Sequence, residues 1–285
     1  MTELSDDRRR MADALRDLRE QAGLSTTQLA GRLGWSQSKV SKTERGVTLP
    51  PPADVEAWAR ATNASGTLRT ELGSLADDAA VEFTERRKVL APGRRRVQQE
   101  IQRLEEAASV VRVFNPKVVV GLAQTRAYVE AMFRLGRNRT PPEHLGEAVD
   151  SRLARQATLG DRSKRFELVM GEAAVRRLVI SPADLRVQLE RLVELSEQPN
   201  IALGVIRFDA VEREHQYDAY SVMGDPDLDD EAIVLASTVT RTLRIRSAAE
   251  VREYIEHFAA LRAAATEGEP LRAFLRELVA ELDSI

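Results

Sequence analysis

The chain has 285 residues, 43% of them hydrophobic, and a formal net charge of −3: enough apolar material for one large or two ordinary cores, and no overall cationic surplus for binding polyanions. It has no cysteine, which excludes disulfides, thiolate metal sites and cysteine nucleophiles. The opening run MTELSDDRRRMADALRD is charged throughout, unlike a signal peptide, and no later stretch has the apolar length of a membrane span, so a cytoplasmic protein without membrane contact is expected.

In RRMADALRDLREQAG, Met11, Leu15, Leu18 and Ala22 recur at spacings of three and four, which predicts an amphipathic helix stopped by Gly23. Ser25 can cap the next helix, with Gln28 completing a capping box. Leu29, Ala30 and Leu33 then face inward before Gly34 breaks it. Ser36 caps a third helix through about Arg45, with Val40 and Thr43 inward and Gly46 as its end. The prolines of LPPPADVEAWARAT fix a turn before a fourth helix that buries Val55, Trp58 and Ala59. TLRTELGSLADDAAVEF reads as a fifth helix, closing an all-helical domain over residues 1–80.

Residues 81–104 form a basic linker or helix, in which Arg86, Arg87, Lys88, Arg94, Arg95 and Arg96 surround a Pro-Gly break. VQQEIQRLEEAASVVRVF reads as a helix running into an extended piece that Asn115-Pro116 interrupts. Two helices follow, in GLAQTRAYVEAMFRLG and EHLGEAVDSRLARQATLG. The runs RFELVMGEAAV, NIALGVIRF, DAYSVMGDP and EAIVLASTVT then read as strands. Ser181 caps a helix whose inward stripe is Leu185, Leu189, Leu192 and Val193, and helices over about 248–265 and 269–282 close the chain. The fold class expected is multidomain, all-α at the N-terminus and mixed α/β over 105–285.

The second and third helices, joined by a tight glycine-containing turn, form a helix-turn-helix pattern. On the third, Gln37, Ser38, Lys39 and Lys42 are not needed for the core and suit base edges: Gln pairs with adenine, Lys donates to guanine, and Ser bonds several bases. Thr26 and Thr27, at a helix N-terminus with exposed amides, suit a phosphate. Arg32, Lys39, Lys42 and Arg45 against Glu44 make the stretch locally basic. Arg94, Arg95 and Arg96 are further candidates for the DNA backbone.

LRDLREQAGLSTTQLAGRLGWSQSKVSKTERG resembles the lambda-repressor or Cro-like class of regulators, often called XRE, over about residues 11–62. The resemblance puts Gln37, Ser38, Lys39 and Lys42 where that family reads bases, Thr26 where it touches phosphate, and Arg19 and Glu44 where it has an internal salt bridge. Arg45 departs from it, since a smaller polar residue is common there. VVVGLAQTRAYVEAMF, SRLARQATL, FELVMGEAAVRR and QLERLVELSEQPNIALGVIRF resemble the DUF5753 domain that follows such modules in many actinobacterial regulators, sometimes called WhiJ-like. NPKVVVGLAQT departs from that pattern, which more often has a proline directly before the glycine, and so does the acidic loop 225–231. This second resemblance implies a transcription factor of a kind whose partner is often a small neighbouring DUF397-type protein, in an arrangement likened to toxin and antitoxin.

Within the larger domain, Gln124, Tyr128, Arg152, Arg155 and Gln156 lie on helices expected to pack together, and could converge on a ligand or partner. The alternative is a surface salt-bridge network with Glu130, Glu147 and Asp150. His144, His215 and His257 lack the spacing of metal ligands, and no cofactor is implied. Asp225 to Glu231 lacks the pattern of a calcium loop and reads as a solvated connection. Ser221, Ser237 and Thr238 have no nucleophile elbow, and there is no glycine-rich phosphate loop, so no enzyme is expected. These readings converge on a homodimeric regulator of double-stranded DNA that reads a palindromic operator. The alternative is an antitoxin-like protein whose DNA binding is autoregulatory.

Overall fold

The computed structural model describes residues 6–48, 50–85, 93–135 and 139–282. The chain divides into two units, residues 1–83 with 244–250 and residues 84–243 with 251–285.

The first unit is helical: α1 (Asp6–Gln21), α2 (Thr26–Leu33), α3 (Gln37–Glu44), α4 (Pro52–Ala61) and α5 (Gly66–Ala80). Local chemistry sets the helix ends. The Ser25 side chain accepts from the Gln28 amide while the Gln28 side chain reaches back, a closed capping box, and Gly34 ends α2 in the left-handed region at φ 68°. The Ser36 side chain accepts from the Lys39 amide to start α3. The core gathers Met11, Leu15, Leu18, Leu29, Val40, Val55 and Leu72 around Trp58. Trp58 has no exposed surface, and its indole N–H donates to the Leu15 carbonyl at 3.0 Å, so the largest side chain of this core is buried with its polar atom satisfied.

VEFTE forms a strand, β1 (Val81–Glu85), and does not continue the fifth helix, in keeping with the preference of Val, Phe and Thr for extended backbone. The second unit holds α6 (Arg94–Ala107), β2 (Val110–Asn115), α7 (Arg126–Arg134), α8 (Pro142–Arg155), β3 (Arg165–Gly171), α9 (Glu172–Arg176), α10 (Pro182–Ser196), β4 (Ile201–Ile206), β5 (Tyr220–Met223), β6 (Ile233–Ser237), most of β7 (Arg241–Ile245) and of α11 (Ala248–Ala263), β8 (Thr266–Glu267) and α12 (Gly268–Leu282). Its strands run in the order β7-β6-β5-β2-β3-β4-β8. β2, β3 and β4 are parallel neighbours, and β5 and β8 join antiparallel on either side.

β3 is buried along almost its whole length, as expected of a central parallel strand covered on both faces. Phe166, Leu168 and Met170 pack in one core with Leu185, Leu189 and Leu192 of α10 and with Leu271, Phe274, Leu275 and Leu278 of α12. In the register of β2 and β3, Arg112 lies beside Glu167, and their side chains meet at 3.0 Å.

The acidic loop is a largely exposed connection between β5 and β6, as read, and its acids also make specific contacts. Asp229 accepts from the Ser109 amide at 3.0 Å and the Ser109 hydroxyl at 2.7 Å, Asp225 accepts from Arg112 at 3.1 Å, and Asp227 pairs with Arg252 at 2.7 Å. The loop starts at Gly224, φ 86°, where a Cβ would lie 2.6 Å from the Glu231 carbonyl oxygen, so both conformation and space require glycine. Among the described residues no cluster of His, Asp or Glu could hold a metal ion, and no helix is long and apolar enough to cross a membrane.

Candidate nucleic-acid interface

α3 turns one face inward and one outward. Val40, Thr43 and Glu44 are buried, whereas Gln37, Ser38, Lys42 and, just past the helix, Arg45 are exposed. The inward face is fixed by charge as well as packing. The Arg19 guanidinium on α1 donates to both Glu44 oxygens, at 2.5 and 3.2 Å, and to the Leu24 carbonyl at 2.8 Å, while Arg16 donates to the Glu44 carbonyl at 2.5 Å. The bond to Glu44 raises the Arg19 guanidinium above its ordinary pKa. The rigid fork of an arginine matched to a carboxylate constrains both partners in direction, so the pair fixes how α3 is presented.

The outward side chains differ in their freedom. The Gln37 side-chain amide donates to the Thr26 hydroxyl at 3.2 Å, linking the start of α3 to the start of α2. The Arg45 guanidinium donates to the Ser41 carbonyl at 3.2 Å and remains exposed, as does Thr27. Lys39 is not a free outward cation. Its ammonium lies 3.0 Å from Asp54 on α4 and 4.0 Å above the Trp35 ring. Sequence reasoning missed Asp54, which reads only as an acid in the first turn of a helix, a placement favoured for its own sake. The surface therefore offers an amide, a hydroxyl and ammonium groups on one helix face, the set that major-groove base edges accept.

Arg86, Arg87 and Lys88 lie outside the described residues. Arg94, Arg95 and Arg96 open α6 in the second unit. Arg94 stacks on Phe133 at 4.7 Å, whereas Arg95 and Arg96 are exposed, Arg95 at 4.0 Å from Glu147.

The polar set of the second unit does converge, but on itself. Arg152 donates to the side-chain oxygens of Gln98 at 3.2 Å and Gln124 at 2.9 Å and stacks on Phe133 at 4.4 Å. Arg155, buried, donates to the same Gln98 oxygen at 2.7 Å and approaches Glu105 at 3.0 Å, off the hydrogen-bond line. Gln156 donates to the Gln124 carbonyl at 2.7 Å, and the Tyr128 hydroxyl accepts from the Val119 amide at 3.1 Å. Burial sets the electrostatics of this cluster. It pushes Arg152 down to about 9, lowers Arg155, raises Tyr128, and lifts Glu105 to about 7 against the pull of Arg155 and Arg152.

The anticipated surface acids pair elsewhere, Glu130 with Arg134, Asp150 with Arg126 and Glu147 with Arg95, so Arg152 and Arg155 belong to a buried brace and not to a surface network. Gln98 and Glu105, the missed members, share the stripe of Ile101 on α6, where polar residues at core spacing were the available signal.

The folded helices of the first unit form a helix-turn-helix domain, and the second unit is an α/β domain. A family model described as a helix-turn-helix domain matches residues 10–72, and one described as a domain of unknown function, DUF5753, matches residues 98–277. The chain belongs to the DUF5753 family. No curated protein matches the sequence. Among solved structures, TrmBL2, an archaeal chromatin protein described as showing a novel mode of DNA binding, aligns over 86% of this chain and 88% of its own at 10% identity, with a TM-score of 0.33. An alignment that loose carries no argument about this chain.

Proposed function

We propose that the protein is a sequence-specific transcriptional regulator, with no catalytic step, in which α3 enters the major groove and the start of α2 lies on a phosphate. The observation that carries this reading is the division of α3: its buried face is bolted through Glu44 to Arg19, and the opposite face presents Gln37, Ser38 and Lys42 together. A helix held so firmly on one side and left polar on the other suits a reading head.

We further propose that it acts as a homodimer on a roughly palindromic operator. One module of this size touches only a few base pairs, and two half-sites one helical turn apart supply the missing discrimination. In this reading the DUF5753 domain supplies the dimer contact and receives a partner or ligand signal.

The test is selection of bound duplexes from a random library by the full-length protein, repeated with Gln37→Ala and Lys42→Ala combined. A palindromic sequence recovered by the wild type and lost by the variant is expected. Recovery of no sequence, or of the same one by both proteins, would remove α3 as the reader.

A further inference from the structure

We infer that Asp54 is a specificity-determining residue of the DNA-binding surface, holding Lys39 as a base reader and withholding it from the phosphates. This inference rests on the DNA-binding reading above. Lys39 lies in the first turn of α3, and its ammonium sits between the Asp54 carboxylate, 3.0 Å away, and the face of Trp35, 4.0 Å from the ring centre. Neither support is loose. Trp35 packs edge-on against Trp58 with ring centres 5.9 Å apart, and Asp54 lies in the first turn of α4 behind Pro51 and Pro52. The two side chains remain partly open to solvent, at 42% for Lys39 and 23% for Asp54, so an approaching duplex meets the pair as a unit.

Charge makes this pairing consequential. A lysine that neutralises a phosphate releases counterions and strengthens binding to every sequence equally. An ammonium already matched to a carboxylate contributes little of that term, yet keeps donors for guanine O6 or N7. The carboxylate also repels phosphate oxygens that would capture Lys39 in a wrong register, an element directed against incorrect sites. Lys42, exposed one turn further on, has no such acid among the described residues. Within one helix the protein thus carries a tethered lysine and an untethered one.

The experiment measures binding of full-length wild type, Asp54→Asn, Asp54→Glu and Lys39→Ala with Asp54→Asn, over a salt series. The probes are a duplex selected from a random library by the wild type and a short duplex of scrambled sequence. Asp54→Asn should tighten binding to the scrambled duplex about threefold to fivefold, the scale of a surface ion pair. It should steepen the slope of log affinity against log salt by about 0.9, and lower the ratio of selected to scrambled affinity.

Asp54→Glu should keep the wild-type slope, and Lys39→Ala should abolish the steepening. An unchanged slope in Asp54→Asn, or equal steepening without Lys39, would overturn the role of Asp54. Lys42→Ala in the same series separates this failure from failure of the DNA-binding reading: loss of affinity for the selected duplex in Lys42→Ala with no effect of Asp54→Asn overturns the inference alone. No discrimination between duplexes by any protein overturns both. A cooperative urea transition of each variant with the wild-type midpoint, followed by tryptophan emission, establishes that the first unit is folded, because Trp35 and Trp58 both lie in it.

Discussion

Arg19 and Glu44 join the first helix of the N-terminal unit to the end of its third through two hydrogen bonds, of 2.5 and 3.2 Å, with the Arg19 side chain 12% and the Glu44 side chain 7% exposed. Removing one partner of such a pair strands the other charge in a poorly solvated place, which costs more than the pair contributes. Arg19→Ala is expected to lower the stability of the first unit by about 2–3 kcal/mol, below the full cost of a completely buried pair. Arg19→Lys should fall between, since an ammonium keeps the charge and loses the fork that also reaches the Leu24 carbonyl. Urea titration followed by tryptophan fluorescence reports on this unit, because Trp35 and Trp58 both belong to it; an unchanged midpoint in Arg19→Ala would end this account of how α3 is held.

Base-reading side chains should reveal themselves by what they leave untouched. Gln37→Ala and Lys42→Ala are each expected to weaken binding to a selected operator by about 1–3 kcal/mol while changing affinity for scrambled DNA far less. Gln37→Ala carries an added effect, loss of the bond to Thr26. Equal losses on both duplexes would make these residues general anchors.

The arginines that open α6 separate into two kinds. Arg94 stacks on Phe133 in the second unit and is occupied there, while Arg95 and Arg96 are exposed. Replacing Arg95 and Arg96 by Ala should flatten the salt dependence of DNA binding by up to about 0.9 for each phosphate no longer neutralised. A slope equal to that of the wild type would place neither residue on the backbone.

Local signals were the legible part of this chain. Ser25, Ser36 and Ser181 each cap the helix that their sequence announces, and the runs around Phe166, Ile201, Tyr220 and Ile233 each form a strand. What escaped depends on partners distant in sequence. β8 has two residues, too few for a pattern, and exists because β4 pairs with it. Asp229 reads as one acid among several until Ser109, 120 residues away, is brought to it. The candidate site divides in the same way. The outward residues of α3 follow from helical period, but the restraint on Lys39 comes from Asp54 across a turn whose geometry no periodicity encodes. Likewise Arg152 and Arg155 were visible as a pair, and Gln98, which accepts from both, was not.

The buried brace of the second unit should give that unit a pH dependence of defined sign. Glu105 is 1% exposed, and burial lifts its carboxyl from an ordinary value of 4.5 to about 7, with Arg155 and Arg152 opposing the rise. Because the folded value lies above the unfolded one, the native state keeps a proton that the unfolded chain has released in the window between them. The stability linked to this proton is fully present below about pH 4.5 and is lost as the pH rises through about 7. The loss is on the order of 3 kcal/mol across the window, with no further change from this group above it.

Glu105→Gln holds the neutral form at every pH and should flatten the profile, leaving Arg155 its contact with the Gln98 oxygen. Urea unfolding followed by far-ultraviolet circular dichroism at about pH 5 and about pH 8 reads the change, with tryptophan fluorescence reporting separately on the first unit. If the wild-type transition of the second unit is the same at both values, or shifts equally in Glu105→Gln, then Glu105 is ionised throughout and the brace is an ordinary buried ion pair.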